Sequence, residues 1–359
     1  MDKPGVLHQA RWAPGAAKVS QSGRQRDHND SHSPCGRQCQ GWGAPYPAER
    51  VRIPGVGVNL EDVTDMTTEP ASPGELAEAL ENTGYLADDG VATAAFLAMR
   101  MRRPLLCEGE PGTGKTSLAS ALAEALGLSL IRLQCHEGID AEQALYEWDY
   151  PRQLLHLRAL EATADGPVDP DIAERSLYTR RFLLARPLLR ALTESPCVLL
   201  VDEIDRADDE FEAFLLQLLD ENAVSIPEFG EIRASTPPIV LLTSNRTREV
   251  HDALKRRCLY HWLVHPDVAR EVAILRRRLP GLSEKLATQV ASAVHRLREL
   301  DLLKPPGVAE SLDWASALRA LNSVELDAAN AELTLGAVAK YREDADRIRA
   351  AGLTSLLAG

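Results

Sequence analysis

The sequence predicts an α/β fold: a parallel sheet with flanking helices, followed by a small C-terminal all-helical domain. Three observations carry this prediction. Short apolar runs alternate with helix-period stripes between about residues 75 and 264, a glycine-rich turn joins the first run to the next helix, and after Pro266 only helical patterns remain. Strands that alternate with helices imply crossover connections and hence a parallel sheet covered on its faces.

Ala77–Met101 reads as one helix, and Pro104–Glu108 as a short buried strand. Leu118, Ala121, Leu122, Ala125 and Leu126 share one helical face, and Leu128–Leu133 reads as a second strand. Glu142–Leu160 and Ile172–Thr193 read as two helices around an Asp/Pro/Gly loop. Cys197–Val201 is a strongly apolar strand, followed by a stripe of Phe211, Phe214, Leu215, Leu218 and Leu219. Val224–Ile226 and Glu231–Arg233 flank a turn at Glu228-Phe229-Gly230, a hairpin pattern. Ile239–Thr243 and Leu259–Val264 complete the strands.

Composition narrows the function classes. The chain has 359 residues, 45% apolar and 26% charged, with a formal net charge of −13, as expected of a globular protein. Val91–Met99, its longest near-apolar stretch, is about half of what a bilayer span needs, and the first thirty residues hold no apolar segment typical of a secretory signal. Six cysteines in so long a chain read as reduced, buried thiols of a cytoplasmic protein. The acidic balance argues against broad nucleic-acid binding. Residues 1–65 hold eight glycines and six prolines, and stretches such as Val19–Gly43 show no apolar period, so disorder is expected there. The expected division is therefore 1–65, a disordered or non-native N-terminal extension ahead of a native start at Met66; 66–265, the α/β core; and 266–359, the helical lid and C-terminal helices. His28, His32, Cys35 and Cys39 have zinc-like spacing, but no apolar scaffold surrounds them, and no metal is assigned there.

The chemistry sits at strand ends. Gly109-Glu110-Pro111-Gly112-Thr113-Gly114-Lys115-Thr116, followed by Ser117, fits G-x-x-x-x-G-K-[ST] between a strand and a helix. Its backbone N–H groups can cradle phosphates at a helix N-terminus; Lys115 would reach the β/γ-phosphates and Thr116 would ligate Mg²⁺. About 90 residues on, an apolar strand ends in Asp202-Glu203. Adjacent carboxylates there either mark a strand end reaching solvent or need a partner: a metal for Asp202, and for Glu203 an attacking water. The strand Pro238–Thr243 runs into Ser244-Asn245, where Asn245 either holds that water or starts a turn. Arg256 and Arg257, before Cys258, either complement a helix dipole or act as a finger in a neighbour's site.

In this order the residues resemble the AAA+ ATPases and, within them, the MoxR-type branch. Asp202-Glu203-Ile204-Asp205-Arg206-Ala207 is similar to that branch's extended acidic motif. The Val224–Arg233 hairpin and the Ala141–Leu160 segment with Tyr146, Trp148 and Tyr150 look like its two insertions. Thr243-Ser244-Asn245-Arg246-Thr247-Arg248 with Ala253–Cys258 is similar to CoxD-like members, tied to maturation of molybdenum-containing carbon monoxide dehydrogenase. The resemblance implies a cytoplasmic, hexameric, Mg²⁺-dependent ATPase and chaperone that binds ATP between subunits. It would remodel a protein client, with a von Willebrand A domain protein as a frequent partner. It also implies roles for Lys115, Thr116, Asp202 and Glu203, for Asn245 as sensor, and for Arg257 as finger with Arg256 as competitor. One departure stands out: the segment Lys304–Ser311 holds no Arg where the family usually has a sensing one, so either Lys304 or Arg319 substitutes or lid closure depends less on the γ-phosphate. The rival readings are an AAA+ motor on nucleic acid (clamp-loader or restriction-type), a nucleotide-binding scaffold and a kinase-like transferase. Residues 66–359 carry 32 basic and 46 acidic side chains, against the first.

Overall fold

The computed structural model describes residues 69–357 except 164, 165, 168 and 228. All of them belong to one unit, Leu60–Gly359. The His28/His32/Cys35/Cys39 cluster, the expected disorder of Val19–Gly43 and the expected start at Met66 lie outside the described residues.

The first expected helix is two helices, α1 (Pro73–Asn82) and α2 (Asp89–Met101). Gly84, at φ +86°, breaks the run, and the Asp88 carboxylate restarts it by accepting from the Val91 N–H at 2.7 Å. Then follow β1 (Leu105–Gly109), α3 (Lys115–Ala125) and β2 (Ser129–Gln134). The two helices expected across 142–193 are also broken up. The chain forms α4 (Ala141–Leu145), β3 (Tyr146–Trp148), α5 (Tyr150–Thr163), α6 (Pro170–Leu177), β4 (Leu183–Ala185) and α7 (Pro187–Thr193). β3 and β4 pair antiparallel, Trp148 opposite Leu183, because Trp148 and Phe182 bury in the same cluster as α7. Pro170 and Pro187 each open a helix, where a missing N–H costs nothing.

The remaining core elements are β5 (Cys197–Asp202), α8 (Asp209–Glu221), β6 (Ala223–Ile226), β7 (Gly230–Arg233), β8 (Ile239–Ser244), α9 (Asp252–Arg257) and β9 (Leu259–Leu263). β6 and β7 form the expected hairpin. The main sheet is parallel, in the order β2-β5-β8-β1-β9. Leu105, Cys107, Val198, Leu200 and Leu241 pack with α1, α2 and α3 on one face. Leu106, Leu199, Val201 and Leu242 pack with α7, α8 and α9 on the other. Burial on both faces explains why these strands read as continuous apolar runs. The register sets Glu108 beside Ser244 and Gln134 beside Asp202, so the strands' carboxyl ends form one edge.

The C-terminal region is helical throughout: α10 (Val268–Arg278), α11 (Glu284–Arg298), α12 (Val308–Ala320), α13 (Ala328–Val338), α14 (Arg342–Ala351) and α15 (Leu353–Leu357). Leu275, Val290, Val294, Trp314, Leu318 and Leu335 build its separate core. Inside it the fully buried Glu271 accepts two bonds from Arg298, at 2.7 and 2.8 Å, and one from the Ser311 hydroxyl at 2.5 Å. Arg298 also donates from Nε to the Pro306 carbonyl at 2.7 Å. Removing one partner leaves the other charge buried alone. Arg298→Ala should therefore cost about 3–5 kcal/mol, read by urea unfolding. The pair replacement Glu271→Leu with Arg298→Met should recover most of that loss.

Candidate nucleotide-binding site

Residues 109–114 leave β1 in a tight turn, with Gly109, Gly112 and Gly114 at φ +159°, +79° and +92°. At two of these glycines there is no room for a side chain: a Cβ on Gly109 would lie 2.4 Å from the Leu263 carbonyl oxygen, and one on Gly112 would lie 2.8 Å from the Gly307 Cα. No side chain caps the N-terminus of α3, which leaves its first N–H groups facing the turn. Lys115 is 6% exposed and its ammonium donates to the carbonyls of Gly109 and Glu110, both at 2.8 Å. Burial pulls its pKa below the ordinary lysine value, with the nearby Asp205 and Asp202 opposing that shift. A bound anion would supply the counter-charge, so the turn, the open N–H groups and the buried cation fit a polyphosphate.

Asp202 ends β5 at the same edge. Its Oδ1 accepts from the hydroxyls of Thr116 at 3.0 Å and Thr243 at 2.5 Å, and its Oδ2 from Arg132 at 2.5 Å. Thr116 and Asp202 thus offer adjacent hard oxygen donors, the chemistry Mg²⁺ prefers. Glu203 follows in the left-handed region at φ +56°, a strain of about 1–3 kcal/mol for a non-glycine residue. The Thr243 hydroxyl offsets part of it by accepting from the Glu203 N–H at 2.9 Å. The Glu203 carboxylate is held by Gln134 at 3.1 Å and Arg206 at 2.8 Å. Asp205, buried beneath, accepts from the N–H groups of Asn245 and Thr247 at 3.2 and 2.9 Å and so fixes the loop after β8.

These strand ends border a cavity of about 570 Å³. Pro111, Gly112, Thr113, Gly114, Lys115, Thr116, Ser117, Asp202, Glu203 and Asn245 all line it. Gly109 and Glu110 are not among its lining residues, and Glu110 pairs with His265 at 2.9 Å. Burial, aided by the Arg298 charge, lowers the His265 pKa against the pull of Glu110. Arg256 and Arg257 are not brought to this cavity. The carbonyls of both accept from Arg103, just ahead of β1, at the strands' opposite edge. The Arg257 guanidinium pairs with Asp220 at 2.5 Å, while Arg256 is exposed. Lys304 pairs with Glu310 at 3.7 Å, Arg319 donates to the Pro280 carbonyl at 3.3 Å, and neither lines the cavity.

Sequence reasoning missed several lining groups. Tyr85, Leu86 and Val91 come from the α1–α2 region, and Leu263, Val264, Pro266 and Ile274 from β9 through α10; together they make an apolar wall. Arg270 reaches from α10 to Asp88 at 2.8 Å and to the Leu86 carbonyl at 2.5 Å. Only tertiary packing juxtaposes these residues; the one local signal was Thr243, directly before Ser244-Asn245. The four described cysteines are free and buried, and burial pushes the Cys107 thiol up to about 12. Among the described residues no group of three or more His, Cys, Asp or Glu could hold a metal, and no helix is long and apolar enough to cross a membrane.

Comparison with known proteins gives the same picture for the core. Residues 104–258 match the family model described as AAA domain (dynein-related subfamily). Together with the five-stranded parallel sheet and its flanking helices, this gives the chain the AAA+ P-loop fold, with a helical C-terminal region. Midasin of Giardia intestinalis is 48% identical over 48 residues, 13% of this chain and 1% of that protein. An uncharacterized protein of Staphylococcus saprophyticus is 24% identical over 185 residues, 50% of this chain and 62% of its own length. One from Staphylococcus aureus is 25% identical over 186 residues, 50% of this chain and 61% of the relative. The matched part thus spans about three fifths of these staphylococcal relatives. Among solved structures, a RuvB mutant of Thermotoga maritima aligns at TM-score 0.40 and 16% identity over 74% of this chain and 69% of that one.

Thr243 joins Asp202 to the strained Glu203 backbone. Thr243→Val should leave both groups short of a partner and cost about 1–3 kcal/mol. Thermal unfolding would show it as a Tm lowered by ~2–4 °C per kcal/mol, with Thr243→Ser close to the parent.

Proposed function

We propose that this chain is a Mg²⁺-dependent ATPase of the MoxR type, which assembles into a ring and remodels or loads a protein client. The observation that carries the reading is the convergence of Lys115, Thr116, Asp202, Glu203 and Asn245, from three separate strand ends, on one cavity. The AAA domain match over residues 104–258 supports it. The apolar wall of Leu86, Val91, Leu263 and Ile274 suits a purine base, and the glycine turn suits its triphosphate.

In this reading Lys115 offsets charge on the β- and γ-phosphates. Thr116 and Asp202 hold Mg²⁺, which when bound neutralises phosphate oxygens. Glu203 orients the attacking water and takes its proton as the water oxygen bonds to phosphorus and the bond to the ADP oxygen breaks; the Asn245 amide steadies that water. Arg257, or the exposed Arg256, serves the site of an adjacent copy, since both lie at the far edge of their own sheet. The Arg257–Asp220 pair is half-exposed, and such pairs contribute about 0–1 kcal/mol, so Arg257 is readily released. The resemblance of Thr243–Arg248 and Ala253–Cys258 to CoxD-like proteins supports a metalloenzyme client, such as a molybdenum-containing carbon monoxide dehydrogenase. It equally supports a hexamer, a von Willebrand A partner and a cytoplasmic location.

Turnover of purified protein, followed as free phosphate, tests this. Glu203→Gln should bind a fluorescent ATP analogue as the parent does while hydrolysing ATP ~10²–10⁴-fold more slowly. Arg257→Ala should lose on the order of 10³–10⁵ in rate at unchanged oligomeric state. Mixing these two variants should restore turnover, because each supplies what the other's seam lacks. Full activity of an isolated monomer would sink the ring-seam assignment.

A further inference from the structure

The helical region meets the phosphate turn backbone to backbone at one place. Gly307, the residue that opens α12, lies so close to Gly112 that a Cβ on it would sit 2.6 Å from the Gly112 Cα and 3.0 Å from its carbonyl carbon and oxygen. The Val308 N–H donates to the Gly112 carbonyl at 3.0 Å. Val308, Ala309 and Leu312 then line the cavity, and none carries a charge.

We infer that Gly307 and Val308 are positioning residues that couple the helical lid to the nucleotide through this glycine–glycine contact, alongside Arg270 and Arg278 of α10, which also line the cavity. The inference rests on the nucleotide reading above and adds how the lid senses occupancy. The contact is stiff on both sides. Behind α12, Arg298 holds the Pro306 carbonyl, and Ser311 is bonded to Glu271. In front, Glu310 accepts from the Gly307 N–H at 3.0 Å. On the turn, Glu110 is tied to His265, in the segment between β9 and α10. No flexible side chain lies between the two glycines, so a shift of Gly112 on phosphate binding must move the start of α12. Lys304 and Arg319, on either side of this contact in sequence, are engaged elsewhere, Lys304 with Glu310 and Arg319 with the Pro280 carbonyl, and Arg270 is tied to Asp88 and the Leu86 carbonyl.

Two substitutions isolate the contact. Gly307 has φ −86° and ψ −174°, extended backbone that alanine adopts freely, so Gly307→Ala adds only the clash. Val308 is the first residue of α12, where proline is well tolerated, so Val308→Pro removes the N–H to Gly112 and little else. Gly336→Ala, in α13 with open space around it, is the control. Hydrogen exchange of the full chain with Mg²⁺ and either ADP or a non-hydrolysable ATP analogue provides the readout. In the parent and in Gly336→Ala, residues 304–320 should exchange differently in the two nucleotide states. In Gly307→Ala and Val308→Pro that difference should vanish and kcat should fall about tenfold, with KM within threefold. Should Gly307→Ala fail to fold, Val308→Pro alone decides. Parent-like exchange and kcat in the folded variants overturn the inference, as does a parent that binds nucleotide with no difference over 304–320. A parent that holds no nucleotide overturns the functional reading and this coupling with it.

Discussion

A carboxylate at the end of a buried strand is expensive unless its oxygens are met, and Asp202 is met by Thr116, Thr243 and Arg132. Those partners sit on α3, β8 and β2, so satisfying this one charge requires three crossover connections to be in register. The register that serves Asp202 also fixes the rest of the site. Glu203 is turned into the left-handed region directly after it, and Asp205, one further turn along, organises the loop that carries Asn245. Lys115 completes the balance as a buried cation near Asp205 and Asp202 that donates to the Gly109 and Glu110 carbonyls.

The second region of the molecule has its own core and its own buried charge pair, yet it meets the site at small, specific places. Arg270 spans the cavity to Asp88 and Leu86, and Gly307 and Val308 press on Gly112. Contacts of this kind are few enough to make and break without disturbing the helical core. They are also placed where a ligand in the cavity would lie between or against them. A cleft bounded by two separately packed cores is where the largest response to a bound molecule is expected.

The arginines after Ala253 behave differently. Helix α9 is only six residues long, and Arg103 fastens its carboxyl end to the far edge of the sheet. The geometry separates Arg256 and Arg257 from the cavity of their own chain. That separation is the physical reason for proposing that they serve a neighbouring copy.

What the sequence determined by itself was whatever depends on neighbours along the chain. The glycine turn from Gly109 to Thr116 was readable because backbone conformation and helix-start chemistry are local, and Asp202-Glu203 because adjacent acids closing an apolar run violate the usual cost of burial. The parallel sheet and its helical sequel followed from alternating periods. Tertiary structure decided the rest. Gly84 and Asp88 split Ala77–Met101 into two helices, and burial of Trp148 and Phe182 in one cluster turned expected helix into the β3–β4 pair. The apolar wall around Tyr85, the Arg132–Asp202 bond and the Gly112–Gly307 contact join residues between 70 and 195 positions apart. No local preference encodes such pairings, because their free energy arises only once both cores have packed and brought the two stretches of backbone together.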